Sequence, residues 1–124
     1  MFDLFKIKLF GKQPVAIISD KLLEKLIVRD YENNADLVRS KFTKINSDSQ
    51  AGKNRISADI LKLSDKNINT LDRLIEKSNY DSRDIIMLAE YPRCAKIGFG
   101  ELDKSLMKQI FINDFIEYSK WLNK

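Results

Sequence analysis

Residues 81–93 read DSRDIIMLAEYPR: five consecutive apolar side chains, Ile85 to Ala89, standing between two charged clusters. The stretch is either a reaction centre beside a hydrophobic pocket or a short buried helix with charged ends. Each helical step turns by about 100°. Five apolar residues in succession therefore point in every direction, leaving such a helix little face for water and a central place in the core. The charges stand where that helix needs them. Asp81 or Ser82 can cap the first turn, and Asp84 sits in it, where the helix dipole favours an anion. Pro92 restricts Tyr91 and ends the helix, with Arg93 beyond the C-terminal end, where a cation is favoured. The buried-helix reading accounts for the stretch without any chemistry.

Working outward, the spacing predicts helices on both sides. Over 67–78, Ile68, Leu71, Leu74 and Ile75 share one face, while Asn69, Asp72, Arg73, Glu76 and Lys77 share the other. Over 54–64, Ile56, Ile60 and Leu63 line one side and Ala58 and Leu61 the opposite one, so this helix is covered twice. The polar NSDSQAGKN of 46–54 reads as a loop. Upstream, Ser19 is an N-cap for a helix with Leu22, Leu23, Leu26 and Ile27 on one face, and Ala35, Val38, Phe42 and Ile45 continue at helical spacing. The N-terminal FDLFKIKLF fits a strand through Phe5, Ile7 and Leu9, or a helix through Phe2, Phe5 and Leu9. With VAII beyond GKQP, a small hairpin over 4–18 is one of its two readings. After the glycine-containing KIGFGEL, a long aromatic helix spans 103–123. Leu106, Met107, Ile110, Phe111, Phe115, Tyr118, Trp121 and Leu122 occupy one broad half of it. The fold class is thus mainly α, a compact bundle of five to six helices in a single domain over 1–124.

The composition agrees. With 124 residues, 44% apolar and 32% charged, the chain suits one hydrophobic core. No apolar run approaches the roughly 18 residues of a membrane span. The charged residues of the N-terminal stretch do not match a signal peptide, and Cys94, the lone cysteine, permits no internal disulfide; both point to the cytoplasm. The net charge of +4 comes with far more Lys than Arg and with abundant Ile and Asn. AT-rich coding produces the same bias.

Whole reaction classes drop out. The chain has no histidine, which removes Ser–His–Asp triads, Cys–His nucleophiles and histidine metal sites. No metal ligand set and no cofactor motif stands out. SDSQAGKN carries the Gly-Lys pair of a phosphate loop, but Ser47 replaces its first glycine and Asn54 its magnesium-binding hydroxyl. The GFG of 98–100 is too short to specify an anion site. The carboxylate pairs Asp20/Glu24 and Asp72/Glu76 have lysine neighbours and no calcium-loop pattern, so they read as solvated faces.

Three features remain. Asp114 falls in the middle of the last helix's apolar half, where a carboxylate must pair, protonate or meet water. The expected partner is an arginine, with Arg55, Arg83 and Arg93 as candidates; Asp114, Arg55, Arg83 and Asp84 are the buried polar candidates. The alternative places Asp114 at the rim. Ile112 and Ile116, one turn apart on the polar side with Lys108, Gln109, Ser119 and Lys120, form a face toward a partner or second copy, unless the N-terminal hairpin folds over them. Finally, the segment 38–62 holds Arg39, Lys41, Lys44, Lys53, Arg55 and Lys62 against two acids, Asp48 and Asp59. These are snorkelling lysines and arginines of amphipathic helices, or alternatively phosphate contacts to nucleic acid.

The stretch GKNRISADILKLSDKNINTLDRLIEKSNYDSRDIIMLAEYPR, followed by FINDFIEYSKWL, resembles a group of small uncharacterised bacterial proteins. They share the order R-I-x-A-x-I-L-K-L-S, then R-D, then A-E-Y-P, over about the last 70 residues. No enzyme activity is associated with that group, so the resemblance assigns no catalytic residue. The expectation is a non-enzymatic protein-binding protein, an immunity protein that neutralises a toxin domain by direct contact. It would need no cofactor and no membrane. The alternative is a small nucleic-acid-associated protein using 38–62.

Overall fold

Helices dominate the fold, as the periodicity predicts. The computed structural model describes residues 8–10, 13–97 and 104–124. In chain order the elements are β1 (Lys8–Phe10), β2 (Gln13–Val15), α1 (Asp20–Tyr31), α2 (Ala35–Phe42), α3 (Gln50–Ser64), α4 (Ile68–Glu90), α5 (Pro92–Ile97) and α6 (Lys104–Leu122). A 3₁₀ turn, Glu32–Asn34, joins α1 to α2. The short strands pair antiparallel, Lys8 opposite Val15 and Phe10 opposite Gln13. The rest of the hairpin stretch before β1, and Gly11 and Lys12, lie outside the described residues, as does GFG at 98–100.

Two compact units make up the chain: residues 18–86, and residues 87–124 together with 1–17. In the first, α1 packs on both α2 and α3. Its core is made by Leu26 and Ile27 of α1, Val38 and Phe42 of α2, and Ile60 and Leu61 of α3, with Leu71 and Ile75 of α4; all are buried. Both sides of α3 are covered, since Ile56, Ala58, Ile60 and Leu61 are all buried. In the second unit, α6 packs on α5 and β2. Met107, Phe111, Phe115 and Tyr118 form its buried stripe, and the Tyr91 ring meets Phe111 edge-on at 5.7 Å.

Caps set the boundaries. Ser19 Oγ accepts from Leu22 N at 3.0 Å, opening α1. Ser49 Oγ accepts from Gly52 N at 3.0 Å, so α3 starts at Gln50 and half of the expected loop is helix. The polar composition of 46–54 conceals a capping sequence. A Cβ at Gly52 would lie 2.6 Å from Ser47 Oγ, so any larger residue there must push that hydroxyl aside. Asn79 of α4 secures the chain between α2 and α3, its Oδ1 accepting from Asn46 N and its Nδ2 donating to Lys44 O.

Residues 81–93 are largely, though not wholly, as expected. Asp81 has non-helical φ −151° and ψ 66° inside α4, and its Oδ1 accepts from Asp84 N at 3.3 Å. The helical segment after it thus begins at its own cap. Ile85 and Ala89, one turn apart, are completely buried, but Leu88 is 44% exposed. The segment therefore keeps one face in water, more than the little that five consecutive apolar residues predict. Pro92 also does more than end a helix. Without an N–H, it stands at the first position of α5, where no donor is needed.

Candidate functional site

Asp114 explains why α5 can form. Its side chain is fully buried in α6, with Oδ1 accepting from Arg93 N at 3.2 Å and Oδ2 from Cys94 N at 3.2 Å. Those are orphan N–H groups of the first turn of α5. Arg93 Nη1 adds a 3.0 Å ion pair to the same carboxylate and reaches Glu117 at 2.6 Å. Arg93 is thus the arginine among the three candidates that pairs with Asp114. The carboxylate satisfies two backbone donors and one guanidinium, which removes the penalty of burying it. Cys94 is completely buried beside it. Burial, reinforced by the Asp114 carboxylate, pushes the Cys94 thiol up to about 12, the reverse of what a nucleophilic thiol needs.

The other buried polar candidates require correction. Arg83 is exposed, and Arg55 is half-buried on α3. Asp84 is half-buried and paired with Lys77, a partner on the other side of the Asp81 break. Residues not expected from sequence to be buried fill these polar roles instead. Asn54 Nδ2 donates to Ile18 O at 3.2 Å and to Asp20 Oδ1 at 2.7 Å, tying α3 to the start of α1. Tyr31 and Ser64 hydroxyls meet at 2.6 Å, and Ser64 donates to Leu61 O. Burial is the main cause that raises the Tyr31 phenol. Asp59 and Glu90 are buried as well. Single polar letters in an apolar pattern resemble solvent-facing positions, so none of these was legible beforehand.

The six basic residues of 38–62 do not present six open charges. Arg39 Nε lies 2.9 Å from both Glu24 oxygens, and its other end pairs with Asp36. Lys41 Nζ pairs with Asp72 at 2.7 Å. Lys44 is exposed, and Lys53 lies in a hollow of about 470 Å³ with Ile45, Asn46, Ser47, Asp48, Ile56 and Ser82. Arg55 and Lys62 are half-buried on α3. Carboxylates of α1, α2 and α4 thus answer part of the charge that the one-dimensional count assigned to this segment.

On α6 the residues Lys108, Ile112, Ile116 and Lys120 follow one another at intervals of one turn, a single stripe opposite the buried Met107, Phe111, Asp114 and Tyr118. Ile112 is 37% exposed, Ile116 half-buried, and both lysines exposed. Neither lysine has an ion pair among the described residues. Gln109 and Asn113 flank the stripe and bond to each other at 3.1 Å. β2 packs on α6, and the part of the expected hairpin before β1 lies outside the described residues. Two residues depart from the expected division of this helix: Leu106 is 53% exposed, whereas Ser119 is buried.

Among the described residues no group of three or more Cys, Asp or Glu could hold a metal, and no helix is long and apolar enough to cross a membrane. No family model, curated protein or solved structure matches the chain.

Proposed function

We propose that the chain is a non-enzymatic protein-binding protein, an immunity protein that holds a cognate toxin domain inactive by covering its surface. The observation that carries this reading is the α6 stripe: an aliphatic pair with Ile112 37% exposed, bracketed by two exposed lysines that form no ion pair among the described residues. An aliphatic side chain moved from water into a partner's pocket contributes about 1 kcal/mol or more, depending on the area still open. A few such anchors inside a polar rim are what dominate protein interfaces. The rest of the chemistry supports the same reading. Histidine is absent from the sequence, and the lone thiol is buried with its proton held firmly. The nucleic-acid reading has weaker support, because Arg39 and Lys41 already have carboxylate partners.

The decisive experiment recovers a partner from the producing cell with the wild-type chain and with Ile112→Asp side by side. The recovered partner is then expressed alone and together with the chain. The expected result is a protein retained by wild type, lost with Ile112→Asp at unchanged melting temperature, and toxic unless the chain is co-expressed. A partner whose expression leaves growth unaffected would defeat the immunity reading.

A further inference from the structure

We infer that the α6 stripe docks an acidic protein surface, an aliphatic-lined helix or groove rimmed by Asp and Glu, and does not serve as a dimer contact with a second copy of this chain. The inference rests on the proposed protein-binding role and specifies its partner. Its basis is the order of charge along the stripe. Lys108 and Lys120 close the two ends, with Ile112 and Ile116 between them, each one turn from the next. A symmetric contact must be complementary to itself. Laid antiparallel about the midpoint of Ile112 and Ile116, the stripe sets Lys108 of one copy against Lys120 of the other. Laid parallel, each lysine meets its own equivalent. Both arrangements bring like charges together at the rim of the apolar contact, where repulsion suppresses a wrong partner.

The acids of α6 do not relieve this. Asp114 is buried beneath Arg93 N and Cys94 N, and Glu117 is taken by Arg93 at 2.6 Å. The remaining flank, Gln109 and Asn113, is neutral. Among the described residues the stripe itself is therefore positive at both ends and apolar between, with the exposed Glu117 beside it already paired to Arg93, and the complement of that pattern is an aliphatic strip between carboxylates. A lipid surface fits less well. Two isoleucines, one of them half-buried, offer little apolar area for insertion.

The test uses two synthetic helical peptides, each with a leucine stripe, one flanked by glutamates and its twin by lysines. Binding to the full chain is followed by fluorescence anisotropy at low and at moderate salt. The glutamate peptide is expected to bind about tenfold or more tightly than its twin at low salt, with the difference shrinking as salt screens it. Lys108→Glu/Lys120→Glu should invert the preference, and Ile112→Ala should weaken binding of both peptides while circular dichroism is unchanged. Equal affinities, no binding of either peptide, or binding only to phosphatidylserine vesicles would overturn the inference. So would a wild-type dimer in sedimentation that Ile112→Asp dissolves. These outcomes leave the neutralisation experiment standing, since that experiment makes no use of the partner's charge.

Discussion

Asp114 shows how much one side chain can settle. Its carboxylate closes the first turn of α5 through Arg93 N and Cys94 N and binds the Arg93 guanidinium. Asp114→Ala should cost about 2–4 kcal/mol, because it orphans two backbone donors at once. Arg93→Ala should cost clearly less, since Arg93 is 47% exposed and its loss leaves the carboxylate with both backbone donors. Urea unfolding of the two variants gives the order, and an equal cost would refute the capping role. Cys94 sets an alkaline limit. Its thiol is raised to about 12 in the fold, so the unfolded chain gives up this proton first as pH rises. The stabilisation is complete below the ordinary thiol value and is lost progressively as pH climbs from there to about 12. Cys94→Ala should therefore flatten the fall in stability over that window, leaving the contribution of Tyr31, whose phenol is also raised by burial. The native thiol should likewise resist alkylation that the unfolded chain undergoes readily.

At the scale of elements, helix starts carry most of the specification. Asp81 both breaks the regular path of α4 and caps the turn that follows. Asp81→Ala should lose about 1 kcal/mol, and Asp81→Asn should retain most of it, because an amide oxygen still accepts from Asp84 N. Equal losses in chemical denaturation would show that the bond contributes nothing. At the start of α3, Gly52 gives up helix propensity to admit Ser47, whose hydroxyl would lie 2.6 Å from an added Cβ. The two positions are accordingly coupled. Gly52→Ala should stabilise by about 0.5–1 kcal/mol in a Ser47→Ala background, where the hydroxyl is gone, and by less in the wild type. Thermal melts of the four proteins of that cycle measure the difference, and strict additivity would refute the coupling.

For the molecule as a whole, the distribution of charge matters more than its sum. The net +4 invites a nucleic-acid reading, yet Arg39 and Lys41 of the densest basic segment are answered by Glu24, Asp36 and Asp72. Gel-shift assays should show only weak binding that disappears steeply with added salt, and Lys44→Glu should barely alter it. Tight binding at physiological salt would reverse that assignment. Opening on α6 has its own signature in stability. Ile112→Asp should change the melting temperature little, because the side chain is already 37% exposed. The same change at buried Phe111 should be severely destabilising.

By itself, the sequence determined the mainly helical class, the inward faces of α1 to α3 and of the first half of α4, and the exclusion of histidine chemistry. Periodicity carries that information because a helix repeats its direction every few residues, so burial leaves a trace in order alone. That Lys108, Ile112, Ile116 and Lys120 share one side of α6 was legible for the same reason, but the sequence left open whether that side is covered, and the structure leaves Ile112 exposed and Ile116 half-buried. Tertiary structure alone chose Arg93 over Arg55 and Arg83 as the partner of Asp114, gave Lys41 to Asp72, placed Asn54 beside Ile18 and Asp20, and left Leu88 and Leu106 in water. The physical reason is range. Periodicity is set by bonds between neighbouring residues, whereas a cap, an ion pair or a covered face depends on which distant segment arrives there in space.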